Sequence, residues 1–255
     1  MSWAGGFVDL VGFISLYGLY TANMSGNTIA MARHVSALEW TGVVRRGWPI
    51  LSFIFGLMLG AFIYEAEKRR KVKVPFPPAI GLEALLIAIF IAAAIGTNFK
   101  ADIPPQPAGK FFVMVALLAV AMGIQNVVIR NIGGMNVYTT FVTGSLVKFA
   151  ESFSEYLFWL SDRTRGRLRS RLLKALRVSP RIVPLQHAAL TLGLWIAYLA
   201  GAVCGGASVQ RWALLGMLAP FGLLTAVALY GTFRPFLTLS NQPEPSHPGR
   251  ISDSN

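Results

Sequence analysis

The chain has 255 residues, of which 54% are hydrophobic and only 13% are charged. A soluble domain of this length has roughly a quarter of its residues charged, so the composition excludes an ordinary soluble globule. The net charge of +12 is concentrated in 65–78, with five Lys/Arg against two Glu, and in 161–183, with eight against one Asp. Basic loops between apolar runs are typical of an oriented membrane protein and do not indicate nucleic-acid binding.

Six apolar runs are each about as long as the ~20 residues that a helix needs to cross a bilayer. They lack the alternation of membrane barrel strands. We therefore expect an all-α, polytopic membrane helix bundle of about six spans, forming one transmembrane domain over 1–239, with a disordered tail over 240–255. The runs are Ala4–Ala22, Gly47–Tyr64, Ala79–Thr97, Lys110–Ile129, Leu185–Ala207 and Trp212–Phe233.

The basic loops predict the orientation of these spans. With six spans, the loops after the second and fourth lie on one face, and both are the positive ones. Lys and Arg accumulate on the cytoplasmic side. We therefore expect a basic cytoplasmic loop at 161–183 and two cytoplasmic termini.

Two further segments, Ser25–Trp40 and Val137–Leu160, are moderately apolar and follow small polar residues. The second contains Lys148, Glu151 and Glu155, so it is too polar for a lipid-facing helix and too apolar for a loop. We interpret both as broken, re-entrant or bundle-buried helices. If one of them crosses the bilayer, the number of spans becomes seven.

The two halves, about 1–103 and 109–235, share three motifs in the same order. Three spans in each half predict that the halves are inverted, a common plan in secondary transporters. The glycine pairs allow close helix packing, and we favour packing of one half on the other, while a homo-oligomer stays open. Gly5–Asp9 aligns with Met122–Asn126, Tyr20–Asn27 with Tyr138–Ser145, and Gly56–Gly60 with Gly201–Gly205.

Asp9 is a carboxylate in an apolar run, which costs ~2.5–3.5 kcal/mol on insertion scales. It would serve as a coupling carboxylate or cation ligand, or alternatively it lies among the headgroups. Asn126 occupies the matching place beside Gln125, and Arg130 is on the same helix face. Arg130 either approaches Asp9 across the two halves or extends to the interface.

The stretches Thr21–Thr28 and Thr139–Ser145 combine small polar residues with glycine. A helix break there would free backbone groups for an ion or polar solute, although such residues also form ordinary caps and turns. The pairing favours a shared site. The residues predicted to bind a solute are Asp9, Asn23, Ser25, Asn27, Gln125, Asn126, Arg130, Thr139, Thr140 and Thr143.

Other polar residues give weaker signals. Glu83 and His187 are expected to reach the interface, and neither has the spacing of a metal site. Cys204 is expected to be a buried small residue. Arg163–Arg181 is either an amphipathic helix on anionic lipid or a solvated loop. No catalytic triad, phosphate loop or dinucleotide motif is recognisable, so we expect no enzyme, cofactor or metal.

Four motifs of this sequence are similar to those of the YoaK family, small bacterial and fungal membrane proteins grouped as DUF1275. The resemblance implies a multi-span protein of the bacterial inner membrane, with no established biochemical activity. Its apolar start is shorter and its basic segment longer than in most members. The motifs are Gly6–Asp9, Ala22–Asn27, Ala121–Asn126 followed by Arg130, and Thr139–Gly144.

Two functional hypotheses follow. The first is a small secondary transporter or permease for an unknown polar or ionic solute, bound near the midplane where the polar motifs of the two halves converge. The second is a non-transporting membrane scaffold or lipid-associated accessory protein, in which the polar motifs only hold helices together. A channel is a third alternative, although nothing resembles a selectivity filter.

Overall fold

A computed structural model describes residues 1–70, 76–97, 109–132, 142–164 and 182–233. Regular structure in these ranges is helical throughout. The helices are α1 Ser2–Ser15, α2 Met24–Ser36, α3 Trp40–Arg69, α4 Pro77–Gly96, α5 Gly109–Ile132, α6 Val142–Thr164, α7 Val183–Trp212 and α8 Leu218–Phe233, with a 3-10 helix, Ala213–Met217, between the last two.

Four stretches of the described chain are helical, long and apolar enough to cross a membrane. The last of them joins α7, the 3-10 helix and α8, and so contains two of the predicted runs. The chain is therefore a polytopic helical membrane protein, while the number of six spans stays a prediction. The stretches are Trp40–Arg69, Pro77–Gly96, Gly109–Val128 and Val183–Phe233.

The first predicted run, Ala4–Ala22, is not one helix. Helix α1 ends at Ser15 after 14 residues, and α2 begins at Met24. Tyr17 and Gly18 adopt left-handed backbone conformations, with φ of 56° and 71°, and such residues terminate helices. The prediction of an unbroken first span was wrong, because this break begins inside the apolar run.

Helices α2 and α6 lie against the outside of the bundle. Helix α2 packs on α3 and buries only Asn27, while α6 packs on α7 and leaves Val147 and Phe158 exposed. Glu151 accepts a hydrogen bond from Lys148 at 2.7 Å on the exposed side of α6 and raises the pKa of that lysine. Of the three alternatives expected for these segments, burial in the bundle was therefore wrong for the residues described, while a broken or re-entrant helix stays a prediction.

Helices α1, α4 and α5 contribute most of the fully buried apolar side chains. Close helix crossings at glycines bring the two halves together. A Cβ atom at Gly201 would overlap the carbonyl group of Trp3, and one at Gly56 would overlap that of Val120. The two glycine motifs therefore mediate packing within the chain, of α7 on α1 and of α3 on α5.

The helix contacts of the two predicted halves correspond to each other. Helix α1 packs on α7 as α5 packs on α3, and α2 packs on α3 as α6 packs on α7.

Cys204 lies on α7 and is exposed. The expectation that it is buried was wrong, because the face of α7 that meets α1 is formed by the glycines beside it.

Candidate functional site

Asp9 closes the break between α1 and α2. Its carboxylate is buried, and Oδ1 accepts hydrogen bonds from the backbone N–H groups of Thr21 and Ala22, both at 2.8 Å. The Thr21 hydroxyl donates to the same oxygen at 3.3 Å, and the Tyr198 hydroxyl donates to Oδ2 at 2.8 Å. All four groups are donors, which is the environment that stabilises an ionised carboxylate away from water. Asp9 thus joins the broken segment to α1 and α7.

Two asparagines complete the geometry of the break. The buried Asn27 donates from Nδ2 to the carbonyl of Tyr20 at 2.7 Å and accepts from the N–H of Tyr20 at 3.1 Å. Asn23 is the N-cap of α2, where its Oδ1 accepts from the N–H of Gly26 at 3.4 Å and from the Ser25 hydroxyl at 2.7 Å. These amides replace the backbone partners that the break removes, so they fix its shape.

A cavity of about 540 Å³ opens between α2 and α3. Arg33 on α2 and Arg45 and Arg46 on α3 line this arginine cavity. Glu39 is the acidic residue of the lining. Its carboxylate forms a hydrogen bond with Nδ1 of His34 at 2.6 Å. Three guanidinium groups against one carboxylate give the cavity an excess of positive charge, which attracts anions.

Two of these arginines are held against the residues where α1 ends. The Arg45 guanidinium lies 5.1 Å from the ring centre of Tyr17 and 5.2 Å from that of Phe111. Arg46 donates through Nη1 to the carbonyl of Gly18. Aromatic rings cover the flat faces of a guanidinium and leave its N–H edge available for a carboxylate or phosphate. The wall of the cavity is therefore attached to the helix break.

A second polar cluster lies inside the bundle. Glu83 on α4 and Gln125 on α5 are both fully buried, and Nε2 of Gln125 donates to Oε1 of Glu83 at 2.7 Å. Among the described residues, Oε2 of Glu83 and Oε1 of Gln125 have no hydrogen-bond partner. Gly5 of α1 packs over the amide, since a Cβ there would lie 2.9 Å from Gln125 Oε1. The expectation that Glu83 reaches the interface was wrong, because neighbouring helices cover it.

The residues predicted to bind a solute fall into separate groups. Asn126 donates to the carbonyl of Met122 in its own helix at 2.9 Å, and Thr143 is exposed. The Arg130 side chain and residues 139–140 lie outside the described part, as do 165–181 and 240–255. Asp9, Asn23, Ser25 and Asn27 meet at the break, Gln125, Asn126 and Arg130 are on α5, and Thr143 lies in the first turn of α6.

Some polar residues outside the predicted solute site also stand out in the sequence. Arg33, Arg45 and Arg46 lie between the first two apolar runs, on the face predicted to be non-cytoplasmic, where membrane proteins carry few arginines. Glu83 is a carboxylate inside an apolar run, and the energetic argument applied to Asp9 holds for it equally. No comparable signal distinguishes Tyr198 from other tyrosines near the membrane.

Comparison with known proteins places this chain in a family. Residues 1–230 match the model of the family described as "Protein of unknown function (DUF1275)". The chain belongs to this family. One DUF1275 relative is the UPF0700 transmembrane protein YoaK of Bacillus subtilis (strain 168), 24% identical over 173 residues, which cover 68% of this chain and 72% of that protein. No solved structure matches the chain significantly.

Family membership confirms the resemblance expected from the sequence motifs. A transmembrane relative and long apolar helices together make this DUF1275 chain an integral, multi-pass membrane protein. The lipid bilayer is accordingly its immediate environment. Exposed apolar side chains on α3, such as Phe55, Met58 and Phe62, are then expected to face lipid.

Proposed function

We propose that this DUF1275 protein is a small membrane carrier of an anionic solute, which binds in the arginine cavity. The observation that supports this most strongly is the cavity itself, with three arginines against one glutamate around about 540 Å³. Small-molecule sites typically enclose ~300–1,000 Å³. Carboxylates and phosphates match the charge of the cavity, and its volume can accommodate them.

The arginines are arranged to bind an anion at low entropic cost. Arg45 and Arg46 are half-buried and are already held by Phe111 and by the end of α1. A guanidinium fixed in place loses less freedom on binding, and two parallel N–H groups recognise a carboxylate or phosphate. Partial burial also strengthens the attraction relative to bulk water.

We propose that the two halves form an inverted repeat that would supply the alternating movement. Supporting this, aligned residues make the same contacts. A Cβ at Gly6 would overlap the carbonyl of Tyr198, and a Cβ at Gly123, its aligned partner, would overlap that of Phe53. Phe53 and Tyr198 precede the aligned Gly56–Gly60 and Gly201–Gly205 motifs by three residues each. The break between α1 and α2 is the element expected to rearrange.

A specific observation also favours a lipid-binding role. Trp40 and Trp48 are 65% and 39% exposed and lie on α3, on either side of the arginines. Tryptophan is enriched at the level of the lipid headgroups. The phosphate of an anionic lipid would offer the arginines the same chemistry as a free anion. In that case the protein would be a lipid-associated scaffold.

Reconstitution distinguishes the two roles. The protein is incorporated into liposomes of neutral phosphatidylcholine, and uptake of radiolabelled phosphate and succinate is compared with uptake by protein-free liposomes. A carrier takes up at least one probe, and uptake falls as an excess of the unlabelled anion is added outside. Absence of uptake for both probes, together with arginine-dependent binding of phosphatidylglycerol, would support the scaffold and contradict the carrier.

A further inference from the structure

The Glu83–Gln125 pair is incompletely satisfied as an anion with an amide. Gln125 Nε2 donates to Glu83 Oε1, but Glu83 Oε2 and Gln125 Oε1 are both acceptors, and neither has a donor in the part of the chain that the structure describes. Both side chains are fully buried. A buried acceptor without a donor loses the free energy of its hydration, and a buried anion with one hydrogen bond loses more.

We propose that Glu83 binds a proton inside the bundle and that Glu83 and Gln125 then form an acid–amide pair. A proton on Oε2 removes the buried negative charge and converts that oxygen into a donor. Its natural acceptor is Gln125 Oε1, the other unpartnered atom of the same pair. A single proton thus supplies what both atoms lack, while the existing N–H···O bond is kept.

The charges around Glu83 leave the proton as the neutralising cation. The charged group that acts on Glu83 among the described residues is the amino group of Met1, and the polar side chain that contacts it is Gln125. The ion pairs of the described residues do not include one between this amino group and Glu83, and Glu83 Oε2 has no hydrogen-bond partner there. The surrounding side chains, such as Ile80 and Ile87 on α4, are apolar and buried.

Asp9 provides a contrast within the same molecule. Its carboxylate has four donors, from Thr21, Ala22 and Tyr198, whereas Glu83 has one. Two buried carboxyl groups in opposite environments are expected to differ in protonation, with Asp9 ionised and Glu83 neutral. If the proposed anion transport holds, Glu83 is the group through which proton movement would accompany the anion.

Infrared spectroscopy of the reconstituted protein tests this directly. A protonated carboxylic acid has a C=O stretching band above the amide band, whereas a carboxylate does not. At neutral pH we expect this band in the wild type and in D9N. We expect its loss in E83Q, because that variant has two amides at the site and no carboxylic acid. Q125L keeps the acid but removes its partner, so the band should move to higher frequency.

Each result has a definite meaning. Identical bands in the wild type and E83Q, or no band in the wild type at neutral pH, would overturn the proposal. An unchanged band position in Q125L would overturn the acid–amide pair. A shifted band in Q125L would assign the band to Glu83 even if E83Q does not fold. A Glu83 band without anion uptake would leave the proton site standing and reject the carrier. Anion uptake without the band would support the carrier and reject the proton site.

Discussion

The Tyr198 hydroxyl donates a hydrogen bond to the Asp9 carboxylate at 2.8 Å, although 189 positions separate the two residues. The bond joins α7 to α1 across the two halves. At the aligned positions, Asn126 and Phe53 cannot reproduce it because phenylalanine has no hydroxyl, and Asn126 bonds the carbonyl of Met122 instead. The two halves therefore differ at this crossing.

Loss of the Tyr198–Asp9 bond should weaken the fold. A hydrogen bond to a charged group contributes about 1.5–3 kcal/mol, so Y198F is expected to lower the free energy of unfolding by that amount. D9A should lower the free energy of unfolding further, since it leaves the N–H groups of Thr21 and Ala22 buried without an acceptor. Unfolding by sodium dodecyl sulfate in bicelles measures both.

The matched control for Y198F is Y64F. Tyr64 stacks on Phe76, so removal of its hydroxyl leaves that ring contact in place. We expect no loss of stability for Y64F beyond experimental error. Equal stability of Y198F and Y64F would show that the Tyr198–Asp9 bond contributes nothing to the fold.

Glycines at the helix crossings should not tolerate a methyl group. In G201A the added Cβ meets the backbone of Trp3, so α1 and α7 must move apart. Overpacking of this kind costs typically about 1–3 kcal/mol. G193A lies on the same helix with open space around it, and alanine there should gain up to ~1 kcal/mol from helix propensity. Thermal unfolding compares the two, and G201A at least as stable as G193A would contradict the crossing.

Binding in the arginine cavity should depend on Arg45 and on ionic strength. We expect phosphate to raise the melting temperature of the wild type in detergent, and R45A to lose most of this increase. Added salt should reduce the effect, because part of the attraction is screened. Arg69, at the opposite end of α3, provides the control R69A, which should retain it. Equal stabilisation of R45A and R69A would place the anion elsewhere.

The orientation of α3 can be tested by cysteine labelling. In a C204A background, S36C at the end of α2 and R70C at the end of α3 introduce single exposed thiols. The positive-inside rule predicts a non-cytoplasmic position 36 and a cytoplasmic position 70. A membrane-impermeant maleimide should therefore label S36C in intact bacterial cells and R70C only after lysis. The reverse pattern would invert the topology.

The sequence predicted the long apolar helices well because the free energy of burial in lipid depends on local composition. It did not predict the end of α1, because Tyr17 and Gly18 take left-handed conformations inside an apolar run. Nor did it place Asp9, whose partners Thr21 and Tyr198 come from other parts of the chain. Such contacts depend on which helices meet, and periodicity carries no information about that.

Only the part of the candidate site that depends on local composition was predictable from the sequence. Asp9 and Asn27 stood out as polar residues in apolar surroundings, and both lie at the break. The arginine cavity did not, since it forms only when α2 packs on α3. The burial of Glu83 likewise follows from the packing of α4 on α5. Local sequence identifies unusual residues, whereas tertiary packing decides what they face.

Anion uptake by proteoliposomes containing wild type, R45A or R69A tests the central claim most directly. A carrier that binds its solute in the arginine cavity should move radiolabelled phosphate or succinate at equal rates in the wild type and R69A, with R45A reduced at least to about a tenth, the loss expected for ~1.4 kcal/mol of binding. Equal uptake in all three proteins, or none above protein-free liposomes, would contradict it.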